Sequence, residues 1–228
     1  MESNIFVKRL FKNFYQTRPI RPKYLTYWPV EQLLDFLKKW HPLENLSLKQ
    51  LTLKTVALLA LTSSDRGQTI HLTKMSNFVE NGQELHFVIT DKLKTTRRVL
   101  RPKIINVVNS NQEELNVANY IKYYINFTKE LRSGDQLFIS WKNYKPVTRS
   151  TIARWLKTVL KLAGIDDSKY SAHSFRGASV SDAYFKGCSI DKIINAGNWK
   201  NVSTFNNHYC APSDNSAIGR IILNSNTI

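Results

Sequence analysis

The sequence predicts a mainly α-helical domain with a small three-stranded antiparallel sheet, an α+β fold class. Three observations predict it. Apolar residues recur at helical spacing through most of the 228 residues. The period shortens to two in the stretch from Asn81 to Leu100. A strong hairpin signal, Asn81-Gly82, opens that stretch. The length suits one moderate domain that buries a core without staples.

Residues 1–28 set Lys8, Arg9, Lys12, Arg18, Arg21 and Lys23 beside Phe11, Phe14, Tyr15, Tyr24 and Tyr27. They read as a basic arm or linker, either a surface extension or a strip lying along a phosphate backbone. Pro19 and Pro22 argue against one continuous helix there. Pro29 opens the first clear helix, with Val30, Leu33, Leu34 and Leu37 at i, i+3, i+4 and i+7. His41-Pro42 closes it. A helix over about 48–62 is apolar almost all round and reads as the buried centre. It runs into Ser63-Ser64-Asp65-Arg66-Gly67. An arginine at the edge of a core needs an anion, either a structural carboxylate or a bound phosphate.

Leu85, Phe87 and Ile89 alternate with His86 and Val88 as a one-faced strand. A second turn spans Asp91 to Thr95, ahead of a further strand near Val99-Leu100. Its cations are Lys92, Lys94, Arg97, Arg98 and Arg101. Val117, Tyr120, Ile121, Tyr124 and Ile125 make the next helical stripe. Leu137-Phe138-Ile139 reads as a strand or a buried turn. Pro146 and Thr148 introduce a helix with Ile152, Trp155, Leu156, Val159, Leu160 and Ala163 inward, stopped by Gly164. A helix bearing His173 and Arg176 follows. Ser189 is placed to cap a short helix with Ile190, Ile193 and Ile194 inward, ended by Gly197. A last helix, about 201–209, carries Phe205 and Tyr209. Three regions result: the arm 1–28, a domain 29–212 and a tail 213–228.

Lysines and arginines number 33 against 17 acids, a net charge of +16. That favours a polyanionic partner, bound through phosphate neutralisation. Two cysteines, Cys188 and Cys210, make neither a disulfide framework nor a metal site. The longest apolar run, Val56 to Leu61, is too short to span a membrane, and no signal peptide opens the chain.

The stretch Ser171–Cys210 gathers groups that suit one phosphate. His173 and Arg176 are three apart and share a helix face. Trp199 adds an indole N–H and Tyr209 a phenol. Taken singly, each has a plain structural explanation, as surface pair or core aromatic.

Five phrases stand in order along the chain: T-S-S-D-R-G-Q-T-I-H-L, K-T-T-R, T-I-A-R-W-L-K, S-A-H-S-F-R-G-A-S and W-K-N-V-S-T-F-N-N-H-Y. Together they resemble the catalytic domain of a tyrosine recombinase of the phage-integrase type. The wording is most similar to the integrases of DIRS-like retrotransposons, with Crypton elements as the alternative. The resemblance spans roughly residues 20–212 and implies the tyrosine recombinase catalytic-domain fold. It makes Arg66 and Arg176 the pair that clamps the scissile phosphate and His173 the acid/base group. Trp199 takes a position that the family fills with histidine or tryptophan. Tyr209 becomes the nucleophile, with His208 as its rival in the neighbouring register. Lys94 becomes the turn lysine, with Lys92 the fallback. Lys92, Arg97, Arg98 and Lys200 are expected to contact DNA. Three departures stand out. Thr69 holds the place of a common carboxylate, Trp199 and Tyr209 are ten residues apart, and no helical DNA-clamping domain is evident.

The chemistry explains these residue types. Attack on a phosphodiester gathers negative charge on the non-bridging oxygens, and planar guanidiniums meet it with fixed forks. A phenol must lose its proton as it attacks, and a histidine can receive it. The leaving 5′ oxygen needs a proton, which a lysine can supply. The resulting phosphotyrosine keeps the bond energy for rejoining. Such chemistry calls for no cofactor and no metal. The expected partner is double-stranded DNA, with self-association as dimer or tetramer on it, and no membrane. The family's eukaryotic look implies the nucleus. Two rival functions stand behind this one: a catalytically inactive or domesticated DNA-binding relative, and a type IB-like topoisomerase.

Overall fold

A computed structural model of the chain describes residues 5–18, 23–82, 84–93, 102–199 and 201–209. At its centre lies α3 (Leu48–Ser63), buried without a break from Leu51 to Leu61. Ser47 starts it with a capping box: its hydroxyl accepts from the Gln50 N–H while the Gln50 side chain accepts from the Ser47 N–H. Polar residues survive inside because each finds a partner. Thr52 and Thr55 donate to carbonyls one turn back, and Lys54 donates to Trp40 O at 2.7 Å and Tyr120 Oη at 2.8 Å.

Around this axis pack α5 (Val117–Thr128), α6 (Arg149–Leu162) and α7 (Ser174–Phe185), with α2 (Val30–Lys38) adding Leu33 and Leu37. Asn116 and Thr148 cap α5 and α6 through their side chains. Each fully buried leucine contributes about 2 kcal/mol.

The sheet has three antiparallel strands in the order β1 (Phe78–Asn81), β2 (Glu84–Ile89) and β3 (Lys103–Val107). Phe78 faces Phe87 and Leu85 faces Val107. Leu85, Phe87, Ile89, Ile105 and Val107 point to the core, and β3 leans on α3. Within the described residues the third strand starts at Lys103; Val99-Leu100, near which the sequence placed it, lie outside the described residues. Leu137, Phe138 and Ile139 are buried between two isolated bridges, so this run is a pinned turn rather than a full strand.

A short helix, α4 (Gly67–His71), follows α3 directly. Near the other end come α8 (Ile190–Gly197) and α9 (Val202–His208). They form a second cluster with α7, made of Val180, Ile193, Trp199, Phe205 and Tyr209. Two expectations change here. Ser189 holds the N-cap position of α8 but makes no side-chain cap bond. The left-handed residue that stops α8 is Asn198, at φ 50°, and not Gly197. Gly197 is needed for another reason: a Cβ there would lie 2.1 Å from the Trp199 ring.

The N-terminal helix α1 (Ile5–Thr17) ends before Pro19, as the prolines require, and exposes Phe6, Leu10, Phe11 and Phe14. Residues 23–28, read in sequence as the end of the arm, bury Tyr24 and Trp28 in the main core. Among the described residues no helix is long and apolar enough to cross a membrane.

Candidate active site

Arg66 is placed by the end of α3. Ser64 closes that helix in a left-handed turn at φ 53°. Ser179 of α7 donates its hydroxyl to Leu61 O and also bonds the Ser64 hydroxyl, at 2.7 Å. The chain then turns, and Arg66 becomes the N-cap residue of α4, its carbonyl accepting from the Thr69 N–H at 2.8 Å. Thr69 and Ile70 are buried, so the backbone of Arg66 is anchored while its side chain lines a small recess with Asp65, Thr69, Leu93, Lys103 and Asn198.

α7 supplies the next two groups. His173 is its N-cap residue, in the right-handed helical region and exposed to solvent. The turn before it is stapled by the N-terminal segment. Tyr24 Oη lies 2.8 Å from Ser171 Oγ, and Trp28 Nε1 donates to Ser174 Oγ at 2.8 Å. Arg176 is only 2% exposed. It hydrogen-bonds Gly197 O and the Tyr209 side chain, while its Nε is buried with no hydrogen-bond partner.

The end of α8 and the start of α9 complete the site. The guanidinium of Arg176 lies 4.2 Å from the ring centroid of Trp199 and 5.9 Å from that of Tyr209. The Trp199 and Tyr209 rings are 4.9 Å apart, and the His173 and Tyr209 rings 6.4 Å. Tyr209 itself is the C-cap residue of α9, its N–H bonded to Phe205 O at 2.8 Å and its carbonyl accepting from the Ser181 hydroxyl.

The electrostatics are those of crowded cations. Although part of His173 meets solvent, desolvation of the rest pushes it below the usual imidazole range, and Arg176, Arg66 and Lys23 push it further. Burial and then Arg66 lower Arg176 too. The nearby acid compensates only in part. Asp65 is buried and raised by desolvation, and its Oδ2 meets Lys103 Nζ at 3.6 Å without a proper hydrogen bond. Lys103 also donates to Ala196 O at 3.0 Å, so the last carbonyls of α8 take one cation from β3 and one from α7.

A family model described as the phage integrase family matches residues 23–216, most of the chain. The chain belongs to the phage integrase family. Among solved structures, XerH site-specific recombinase in a post-cleavage complex with DNA is similar at a TM-score of 0.65 and 13% identity. The match covers 87% of this chain and 53% of XerH, so the chain spans about half the length of that relative. XerA recombinase is similar at 0.63 and 16% identity, covering 96% of this chain and 74% of XerA. A lambda integrase tetramer on a Holliday junction gives 0.53 and 14%, over 86% of this chain and 50% of that one. These likenesses are likenesses of fold, that of tyrosine recombinases. None of the curated proteins compared with the chain matches it.

In this integrase-family chain the fold brings Arg66, His173, Arg176, Trp199 and Tyr209 to one place. Lys92 is exposed in the turn beyond β2. Lys94, Arg97, Arg98 and Lys200 lie outside the described residues, as does the side chain of His208. Three groups at the site were not singled out from sequence. Lys103 was detectable, since period two from Ile105 and Val107 puts it on the inward face of β3. Asp65 was visible beside Arg66, but its partner is Lys103. Tyr27 was read only as one of the aromatics of the basic arm, and nothing linear tied it to the site.

Proposed function

We propose that the chain cleaves and rejoins duplex DNA through a 3′-phosphotyrosine intermediate, as a recombinase of mobile-element origin close to DIRS-like integrases. The observation that carries this is the buried Arg176. A guanidinium 2% exposed, with an idle Nε, a second arginine repelling it and Asp65 compensating only in part, favours an anion brought to it. A scissile phosphate supplies that anion, held between Arg66 and Arg176.

Each group then has one task. The Tyr209 oxygen attacks phosphorus and its proton passes to His173, which is already depressed toward the neutral, accepting form. The bond from phosphorus to the 5′ oxygen breaks, and that oxygen takes a proton from Lys94. The arginines meet the charge gathering on the non-bridging oxygens. Trp199 packs at a tilt against Tyr209 and lies under the Arg176 guanidinium, fixing both. Reversal by another strand's 5′-hydroxyl restores the tyrosine. Lys92, Arg97, Arg98 and Lys200 contact flanking DNA, and copies assemble as dimer or tetramer on it in the nucleus. XerH cut on its DNA substrate and lambda integrase as a tetramer on a junction support this reading by analogy of fold.

The test is a nicked suicide duplex that traps the covalent intermediate. Wild-type protein should form an adduct that maps to Tyr209, and Tyr209→Phe should form none while keeping its DNA affinity. An adduct on His208 or another tyrosine overturns the assignment. A chain that binds this duplex yet never becomes attached overturns the reading.

A further inference from the structure

Gly177 follows Arg176 in α7 and is buried. A Cβ built there would lie 2.0 Å from Cε1, 2.1 Å from Cζ and 2.4 Å from Oη of Tyr27. The outer half of the Tyr27 ring therefore fills the space that any other residue at 177 would need. The same ring packs against both hydrophobic clusters, the main core and the smaller one that holds Trp199 and Tyr209. Its segment is pinned on both sides. Tyr24 bonds Ser171, Trp28 bonds Ser174, and Tyr170 Oη donates to Thr26 O at 3.1 Å.

The geometry points to Tyr27 as a positioning residue: wedged between Gly177 and the Trp199–Tyr209 cluster, it sets the spacing between the arginine-bearing turn of α7 and the tyrosine at the end of α9. This rests on the reading of Tyr209 as nucleophile. Tyr27 does not compete for that role. Burial, with Tyr209, Tyr24 and Tyr170 close by, holds its phenol well above the ordinary value, so its proton is harder to remove than that of an ordinary tyrosine. Its contribution is the volume of the ring. An in-line attack tolerates little error, and a displacement near 1 Å costs about a hundredfold in rate.

The experiment uses the full chain and two readouts, the exchange rate of the Tyr209 amide and the rate of adduct formation at saturating suicide duplex. Tyr27→Ala should speed exchange of that amide about tenfold or more, leave α5 amides protected, and slow adduct formation by about ten- to a hundredfold with DNA affinity within about twofold. Tyr27→Phe keeps the wedge and should restore most of the rate. An alanine variant that matches wild type in both readouts overturns the proposal. So does a phenylalanine variant as defective as alanine. If Tyr27→Ala also exposes α5 amides, Gly177→Ala decides, because its methyl group displaces the ring while Tyr27 remains. It should loosen the Tyr209 amide alone, and behaviour like wild type overturns the proposal. Absence of any wild-type adduct would strike the parent reading, whereas amide exchange still answers for Tyr27.

Discussion

Arg176 shows how much one side chain can hold in tension. Its charge is buried against Trp199 at 4.2 Å, and it donates to Gly197 O and meets Tyr209, yet one donor stays idle. A lysine would keep the charge and lose the planar fork. Arg176→Lys should therefore cost on the order of 3 kcal/mol in the cleavage barrier, roughly a hundredfold in rate, with DNA affinity far less changed. Suicide-duplex kinetics beside a binding titration measure both; a variant that cleaves at the wild-type rate removes Arg176 from the phosphate clamp. At this scale the sequence was most legible. Five polar or aromatic residues spread from Arg66 to Tyr209 were picked out by type and order, and the fold gathers them. Tyr27 and Lys103 were hidden for different reasons. Nothing linear connects Tyr27 with Gly177, 150 residues on. Lys103 sat past a cluster of turn cations that drew attention to the turn rather than to the strand after it.

Among the elements, α3 carries an oddity of its own. Lys54 is fully buried, its ammonium 4.2 Å from the Tyr120 ring centroid, and burial lowers its pKa from 10.5 to about 7. The sign follows from proton binding. Between about pH 7 and 10.5 the unfolded chain holds a proton here that the folded chain has released, so this group adds stability as pH rises through that window. Below pH 7 both states are protonated and the contribution is flat. Lys54→Met should abolish that part of the rise. Tyr120 Oη still donates to Trp40 O at 3.2 Å, so the carbonyl keeps a partner. Denaturation midpoints at pH 6.5 and 9.5 for both chains check this, and an unchanged slope in Lys54→Met refutes it. Helices with a long apolar stripe were readable, as α2, α3, α5 and α6 show. α4 was not, because five residues are too few for a period to declare itself. The role of Gly197 was misjudged because a glycine after a helix suggests a left-handed cap, whereas here the space is taken by an indole two residues later.

The molecule as a whole carries +16, with Arg149, Arg154, Lys157 and Lys161 exposed along α6 in addition to the cations at the site. Binding to duplex DNA should weaken steeply with salt, about a hundredfold or more between 50 and 200 mM for several phosphate contacts. Affinities over that range test it, and a flat curve would remove DNA as the principal partner. The architecture also orders events in time. Trp28 meets Ser174 across 146 residues, and Tyr24 meets Ser171 across 147. Closing loops of that length is slow and comes after local helices have formed. On the ribosome Arg66 emerges before His173 and Arg176, and Tyr209 emerges after all three. The cluster of Arg66, His173, Arg176, Trp199 and Tyr209 therefore stays incomplete throughout most of synthesis, and closes only when residue 209 folds back onto residues 24–28, made long before it.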